Sequence, residues 1–461
     1  SVDESVLRRA ADHAVAHLAS LPDRPVGART DVAALRAALD RELPDHGVAP
    51  EQVIDDLVAD AGPGLNATPG PRFFGFVIGG AQPAALAADW LVGAWDQNAA
   101  LYVASPAAAV IEEVAAGWAL DVLGLPPTAS VGFVTGGQMA NATCLAAARH
   151  AVLARAGWDV EAHGLAGAPP LDVYVGEQAH VTVFAALRLL GLGAGRAVRI
   201  AADDQGRMLP EALAAALAAG NGLAIVCAQA GEINTGAFDP LEPIVDAVAA
   251  HGAWLHVDGA FGLWAAASPR RAALVRGLER ADSWVADAHK WLNVPYDSSL
   301  AIVADPAAHV AAMNAAAAYL PASAGGVPDP SSLVPELSRR ARGVPVYAAL
   351  RALGRAGLAE LVDRCCDLAA EMAEALAASG RFRIINDVVL NQALAVPEGI
   401  AGEDLPRLAA AIQAEGTCWI GPTVHRGTPA LRVSVSNWST TSEDIARSAA
   451  AIIAAADGLR S

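Results

Sequence analysis

Between residues 130 and 303 the sequence repeats one pattern: a short β-branched or apolar run, a turn, then an alanine-rich stretch with helical spacing. The runs are VGFVT, LDVYVG, AVRIA, LAIVCAQ, WLHVD, SWVADA and LAIVA, seven in all. Runs this apolar are buried on both faces, and strands that alternate with helices lie mostly parallel under crossover helices. The expected architecture is therefore α/β, with a mostly parallel seven-stranded sheet. Such a sheet binds ligands outside the carboxyl ends of its strands, so chemistry is sought in the residues that follow each run.

The flanks have other patterns. Residues 1 to about 60 read as helices broken by Pro22, Pro25, Pro44 and Pro50, and a turn-rich loop, AGPGLNATPGPRFFGF, leads into one long helical run from about 82 to 122. Beyond about 345 come long helices, then the strand-like FRIIN, VVLNQALAV and LRVSVS, then a closing helix, which together make a smaller α+β lobe. The expected division is an N-terminal helical segment at 1–75, a large domain at 76–344 and a small C-terminal domain at 345–461. A Pro-, Ser- and Gly-rich loop at about 320 to 335, PASAGGVPDPSS, has the composition of a mobile lid between two lobes.

Composition narrows the partners. Hydrophobic residues make up 54% of the chain and charged ones 17%, yet no run approaches the roughly 18 apolar residues of a membrane helix. The formal charge of −18 leaves no basic footprint for nucleic acid or an anionic membrane. The cysteines at 144, 227, 365, 366 and 418 show no CxxC and no metal-ligand spacing, so they read as reduced core thiols and no metal is expected. The first residues, SVDESVLRRAADHAVAHL, lack the apolar centre of a secretory signal, and a cytoplasmic protein is expected.

Of the 31 basic side chains, 30 are arginine and one, Lys290, is lysine. Arginine keeps its proton near neutral pH, whereas a lysine amine can be desolvated, deprotonated and used as a nucleophile. A lone lysine also arises by drift in an arginine-rich chain; its neighbours decide between the two.

Four features follow predicted strands. VGFVT runs into Thr135-Gly136-Gly137-Gln138 and a helix, which turns bare N–H groups and a helix dipole toward the strand end, a setting for phosphate that also fits a plain tight turn. His180 follows LDVYVG and opens a helix, as a cap or as a flat imidazole over a ligand. Asp258 ends WLHVD, where a carboxylate either caps a turn or meets a cation. Lys290 lies beyond SWVADA. A phosphate cradle, a buried acid, an imidazole and one lysine in a single crevice suit pyridoxal 5′-phosphate (PLP), which requires an anion site, a partner for its ring nitrogen, a group packed on its ring and an amine for the Schiff base.

The order Thr-Gly-Gly, His180, Ala-Gly-x-x-Asn-Thr-Gly-Ala-Phe-Asp-Pro, His-Val-Asp-Gly-Ala, Asp-Ala-His-Lys-Trp-Leu and Ser-Arg-Arg resembles the group II PLP-dependent decarboxylases. That family includes the aromatic-L-amino-acid and glutamate decarboxylases, built on the aspartate-aminotransferase fold, fold type I. The resemblance extends from PRFFGF at 71 to LRVSVSNWSTTSEDI. It implies that Lys290 holds the cofactor as a Schiff base, Asp258 pairs with the ring nitrogen, Ala260 lies against the ring and His180 stacks on its other face. Gly136, Gly137 and Gln138 are implied at the phosphate, with Asp287 and His289. Phe73, Phe74, Asn98 and Tyr102, with the segment to Val103, and Glu232 are implied at the substrate, in a pocket completed across an obligate homodimer.

The implied reaction is decarboxylation of an L-amino acid, aromatic or apolar, to the amine and carbon dioxide. The alternatives on the same fold are aldehyde-forming decarboxylation, Cα–Cβ cleavage and transamination. Four departures from the family pattern stand out. Gln138 replaces a serine in the phosphate turn, Glu232 stands where threonine is common, and Asp287 replaces an asparagine of some relatives. The fourth concerns the lid: in the animal enzymes a lid tyrosine returns a proton to Cα, and here no tyrosine occurs between Pro321 and Pro345, Tyr319 lying just outside.

Overall fold

Valine, isoleucine and aromatic side chains fill the flat space between sheet and helix layers, and each of the seven runs forms a strand. In a computed structural model, which describes residues 4–314 and 327–460, they are β1 (Ser130–Val134), β2 (Asp172–Gly176), β3 (Val198–Ile200), β4 (Ala224–Gln229), β5 (Trp254–Asp258), β6 (Ser283–Asp287) and β7 (Ser299–Val303). Their order is β1-β7-β6-β5-β4-β2-β3. Strands β3, β2, β4, β5 and β6 run parallel, and β7 is antiparallel to both β6 and β1. Every residue of β4, β5, β6 and β7 is buried, as continuous apolar runs require.

The crossovers are α6 (Gly137–Arg155), α7 (Val160–His163), α8 (Val181–Leu189), α9 (Pro210–Ala219) and α10 (Leu241–Ala250), with α11 (Pro306–Met313) after β7. All residues of α6 from Ala140 to Ala148 are buried. Alanine there lets the helix lie close on the sheet, and the polar Asn141 among the alanines needs partners.

The expected helix over 82–122 is two helices, α4 (Pro83–Trp95) and α5 (Pro106–Val122). Asp96 closes the first in a left-handed conformation, φ 49°, and Pro106 occupies the first turn of the second. Proline pre-sets the helical φ there and lacks the N–H that a continuing helix needs, so the chain restarts at that point. Three helices precede these, α1 (Glu4–Ser20), α2 (Val32–Leu39) and α3 (Pro50–Ala61).

The chain beyond 342 holds α12 (Gly343–Ala378), broken at Gly354, then β8 (Phe382–Ile384), β9 (Gln392–Pro397), α13 (Leu405–Glu415), β10 (Gly421–His425), β11 (Thr428–Ser434) and α14 (Ser442–Arg460). The four strands form a second sheet in the order β10-β11-β9-β8. Strand β10 is absent from the sequence expectation and begins with Gly421 and Pro422, both poor strand formers; proline is tolerated at the edge of a sheet, and β10 is the edge.

Two compact units result: Ser1–Ile78 with Glu371–Ile385 and Leu394–Ser461, and Gly79–Ala370 with Asn386–Ala393. Among the described residues no helix is long and apolar enough to cross a membrane. The expected lid loop falls partly on residues 315–326, outside the described residues.

Candidate active site

Beyond the carboxyl ends of β4, β5 and β6 lies a crevice of about 210 Å³. It brings together Gly136, Gly137, Gln138, His180, Asp258, Ala260, Asp287, His289 and Lys290. Thr182, Gln229, Gly231, Ile233 and Phe261 line it too and were not anticipated. Gln229 ends β4 as Asp258 ends β5, so the rule that ligands sit at strand ends points to it as well. Thr182 follows the helix cap at His180 by two residues and carries no signal of its own.

At one side Gly136 caps α6 with extended backbone and no side-chain cap, so the first N–H groups of this helix keep their donors for a ligand. A Cβ on Gly137 would lie 3.0 Å from Asp287 Oδ2 and one on Gly136 3.5 Å from His289 Cε1. The second contact is an ordinary one, but at Gly137 a side chain would press on Asp287, which keeps that position bare.

Lys290 Nζ lies 3.0 Å from Asp287 Oδ2. The other oxygen of Asp287 is buried without a hydrogen-bond partner. Behind Lys290 the backbone is packed to its limit, since a Cβ on Gly79 would fall 1.7 Å from the carbonyl oxygen of Lys290. The indole of Trp264 donates to the carbonyl of Asp287 at 2.9 Å, which fixes the end of β6 from below.

His289 accepts from the Ser298 N–H at Nδ1, 3.1 Å, so a neutral ring carries its proton on Nε2, 3.6 Å from Asp287 Oδ2. Burial holds this imidazole below its ordinary pKa and keeps it neutral. The ring of Tyr296 stacks on it with centroids 4.4 Å apart. His180 is the N-cap of α8: its Nδ1 accepts from the Thr182 N–H at 3.4 Å and lies 2.8 Å from Thr182 Oγ1. Cap and crevice lining are one residue here.

Asp258 is buried, and its hydrogen bonds come from amides, the Ala260 N–H at 3.1 Å and Asn141 Nδ2 at 3.1 Å. Neither donor carries a positive charge, so these contacts leave a cation brought by a ligand as the complementary partner.

The residues expected at the substrate, in a pocket completed across a dimer, have the following surroundings within the single chain. Phe73 and Phe74 are buried in the first unit, where Phe73 stacks on Trp419 at 4.9 Å. The Asn98 side chain accepts from the Arg339 N–H at 3.0 Å, and the Tyr102 hydroxyl donates to Glu113 at 3.1 Å; neither lines the crevice. Glu232 is 1% exposed, and its Oε2 accepts from the N–H groups of Asn234 and Thr235 at 2.8 and 2.7 Å. The acid is thus satisfied by its own turn and does not line the crevice.

These residues fit PLP on the structure's own terms. The crevice offers an anion site of bare N–H groups, an amine, an amide-held carboxylate and small residues at Ala260 and Gly231 that leave room for a flat ring.

Comparison with known proteins agrees. The model of the pyridoxal-dependent decarboxylase conserved domain matches residues 33–393, and the chain belongs to this family. It is a PLP-dependent carboxy-lyase of fold type I that acts on an amino acid. It is 27% identical over 451 residues to an aromatic-L-amino-acid decarboxylase of Bacillus atrophaeus, covering 95% of this chain and 92% of the relative. The crystal structure of Oryza sativa TDC with PLP and tryptamine superposes with a TM-score of 0.92 at 25% identity, over 100% of this chain and 99% of that one. A 4-hydroxyphenylacetaldehyde synthase of Rhodiola rosea is 27% identical over 378 residues, 79% of this chain and 76% of the relative.

Proposed function

We propose that the substrate is an aromatic or apolar L-amino acid, converted to its amine and carbon dioxide. The observation that carries this reading is the lining of the crevice: Ile233 and Phe261 supply apolar surface, and no arginine is among the described lining residues to pair with a distal carboxylate. The Bacillus relative and the tryptamine in the Oryza complex point the same way.

PLP, when bound, supplies the electron sink that takes up the pair left as carbon dioxide departs. Lys290 is the nucleophile that holds the cofactor and yields it to the substrate amine, and Asp287, 3.0 Å from Nζ, is the group in reach to exchange a proton with it. Asp258 would pair with the protonated ring nitrogen. Gly136, Gly137 and Gln138 take the phosphate at the N-terminus of α6. His180 would pack on the ring, and because its Nδ1 accepts from the Thr182 N–H, a neutral ring carries its proton on Nε2. His180 and Lys290 are then the side chains that can return a proton to Cα.

The chain is proposed to work as a homodimer. Trp90, Leu91, Trp95 and Val110 are between 43% and 49% exposed on α4 and α5, beside an apolar cavity of about 250 Å³ lined by Val92, Ile111 and Val344. Exposed apolar surface of that kind marks an interface. Five free cysteines, all buried, suit the reducing cytoplasm.

Purified protein reconstituted with PLP should be yellow, and Lys290→Ala should lose the colour on dialysis. Each of the twenty amino acids is then assayed for carbon dioxide, amine, aldehyde and ammonia. Amine formed one for one with carbon dioxide from tryptophan, tyrosine or phenylalanine is the expected result. The second reading, aldehyde formation, is favoured by the absence of a tyrosine between 327 and 345 and by the Rhodiola relative. Equal release of aldehyde and ammonia would establish it instead.

A further inference from the structure

Trp254, His256 and Asp258 alternate along β5 and so project from one face of the strand. Three buried side chains join the first of them to the last through four hydrogen bonds. Trp254 Nε1 lies 2.9 Å from Ser283 Oγ, Ser283 Oγ 2.9 Å from His256 Nδ1, His256 Nε2 2.8 Å from Asn141 Oδ1, and Asn141 Nδ2 3.1 Å from Asp258 Oδ2. His256, Asn141 and Ser283 are each 0% exposed.

The two ends of this chain decide every proton in it. An indole N–H can only donate and an ionised carboxylate can only accept. Starting from Asp258, the Asn141 amide must present Nδ2, which leaves Oδ1 facing His256 and requires a proton on His256 Nε2. Burial holds His256 down to about 4, so the ring is neutral and its Nδ1 is bare. The Ser283 hydroxyl then donates to Nδ1 and accepts from Trp254. All five groups are satisfied in one arrangement, and the reverse direction would set the Asn141 carbonyl against the Asp258 carboxylate. A branch extends the order: Asn141 Nδ2 also reaches Thr182 Oγ1 at 3.2 Å, whose hydroxyl turns to His180 Nδ1 at 2.8 Å.

We propose that Asn141 and His256 are positioning residues for the cofactor site, a pair that fixes through one directed hydrogen-bond chain both the accepting carboxyl group of Asp258 and the Nε2–H form of His180. Asn141 is the hub, because its single amide serves the group assigned to the ring nitrogen and, through Thr182, the group assigned to the ring face. Without the His256 N–H the Asn141 amide loses what orients it, and a flipped amide would repel Asp258. The proposal rests on the reading of Asp258 and His180 as cofactor contacts.

Two measurements on the full-length holoenzyme test it. Long-range nitrogen–proton NMR of histidine-labelled protein should show His256 and His180 as neutral Nε2–H tautomers between about pH 6 and 8, signals assigned by their loss in His256→Gln and His180→Gln. A His256 imidazolium, or an Nδ1–H tautomer there, would overturn the chain whether or not any variant folds. PLP titration should give roughly a tenfold weaker Kd for His256→Leu. His256→Gln, which keeps a donor and an acceptor, should recover most of that loss. Wild-type affinity in a folded His256→Leu also overturns the proposal. If instead Asp258→Asn leaves PLP affinity unchanged while the tautomers stand as described, the reading of Asp258 fails and the directed chain does not.

Discussion

Phe74 and Asp258 are both buried, and they are held in opposite ways. Around Phe74 the partners are backbone and flat apolar rings: its N–H donates to the Trp419 carbonyl at 2.8 Å, and Trp419 stacks on Phe73 at 4.9 Å and on Phe76 at 5.5 Å. Asp258 is held by the Ala260 N–H and by Asn141, and behind Asn141 stand further side chains with assigned protons, His256 and Ser283. An apolar stack tolerates any ring of suitable size, because dispersion has no direction. A polar chain tolerates one arrangement, because each atom is either donor or acceptor. The first kind of packing supplies stability and the second supplies a definite electrostatic state, and only the second belongs at a catalytic crevice.

That contrast can be broken at several points. The largest effect is expected from Gly79→Ala, where the new Cβ would fall 1.7 Å from the Lys290 carbonyl oxygen with backbone on both sides. Stability should fall by more than about 5 kcal/mol, or the protein should fail to fold. Thermal unfolding and the visible spectrum check this, and a wild-type melt would show that the Lys290 segment yields easily.

Trp419→Ala empties the apolar stack and should cost about 4 kcal/mol in denaturant unfolding. Because that stack carries no electrostatic duty, the folded fraction should bind PLP as the wild type does. A loss of affinity larger than the loss of stability would erase the distinction between the two regions.

The polar chain, by contrast, should show itself in pH. Burial holds His256, and likewise His309, which lies outside that chain between Ser130 and the Leu333 carbonyl, down to about 4, so the unfolded chain takes up their protons near pH 6.5 and the folded chain does so only near 4. Between those values the unfolded state binds more protons, and stability falls as pH falls, by roughly 3 kcal/mol for each histidine. Glutamine at both positions should flatten this slope in unfolding curves taken across the window; an unchanged slope would mean that the rings are charged or solvated in the native state. The smallest effect belongs to Trp264→Phe, which keeps the ring and removes the donor to the Asp287 carbonyl. About 1 kcal/mol of stability should be lost, with a measurable rise in the PLP Kd if β6 orients Lys290.

The legible parts of the molecule share one property, that their signal is local. Seven apolar runs bounded by turns read directly as strands, and residues following those strands read as ligand-facing, which gave Gly136, His180, Asp258 and Lys290 a common address. The break at Asp96 was hidden because alanine-rich helix lies on both sides, although Pro106 marked the restart. Glu232 shows what a single position leaves open: an acid in place of threonine must be solvated or paired, and the fold pairs it with the N–H groups of its own turn.

The sequence by itself determined the α/β architecture, the class of cofactor and the one side chain able to act as an amine nucleophile. These follow from residue chemistry and from periods of two and 3.6 residues, which every short segment carries within itself. Only the tertiary structure decided which groups speak to one another. Asn141 and Asp258 are 117 positions apart, and Gly79 meets Lys290 across a still longer separation. A glycine needed because a distant carbonyl fills its Cβ position, or an amide oriented by a histidine on another element, leaves no mark on its neighbours in the chain. Close packing and hydrogen-bond satisfaction create those requirements only after the layers have come together.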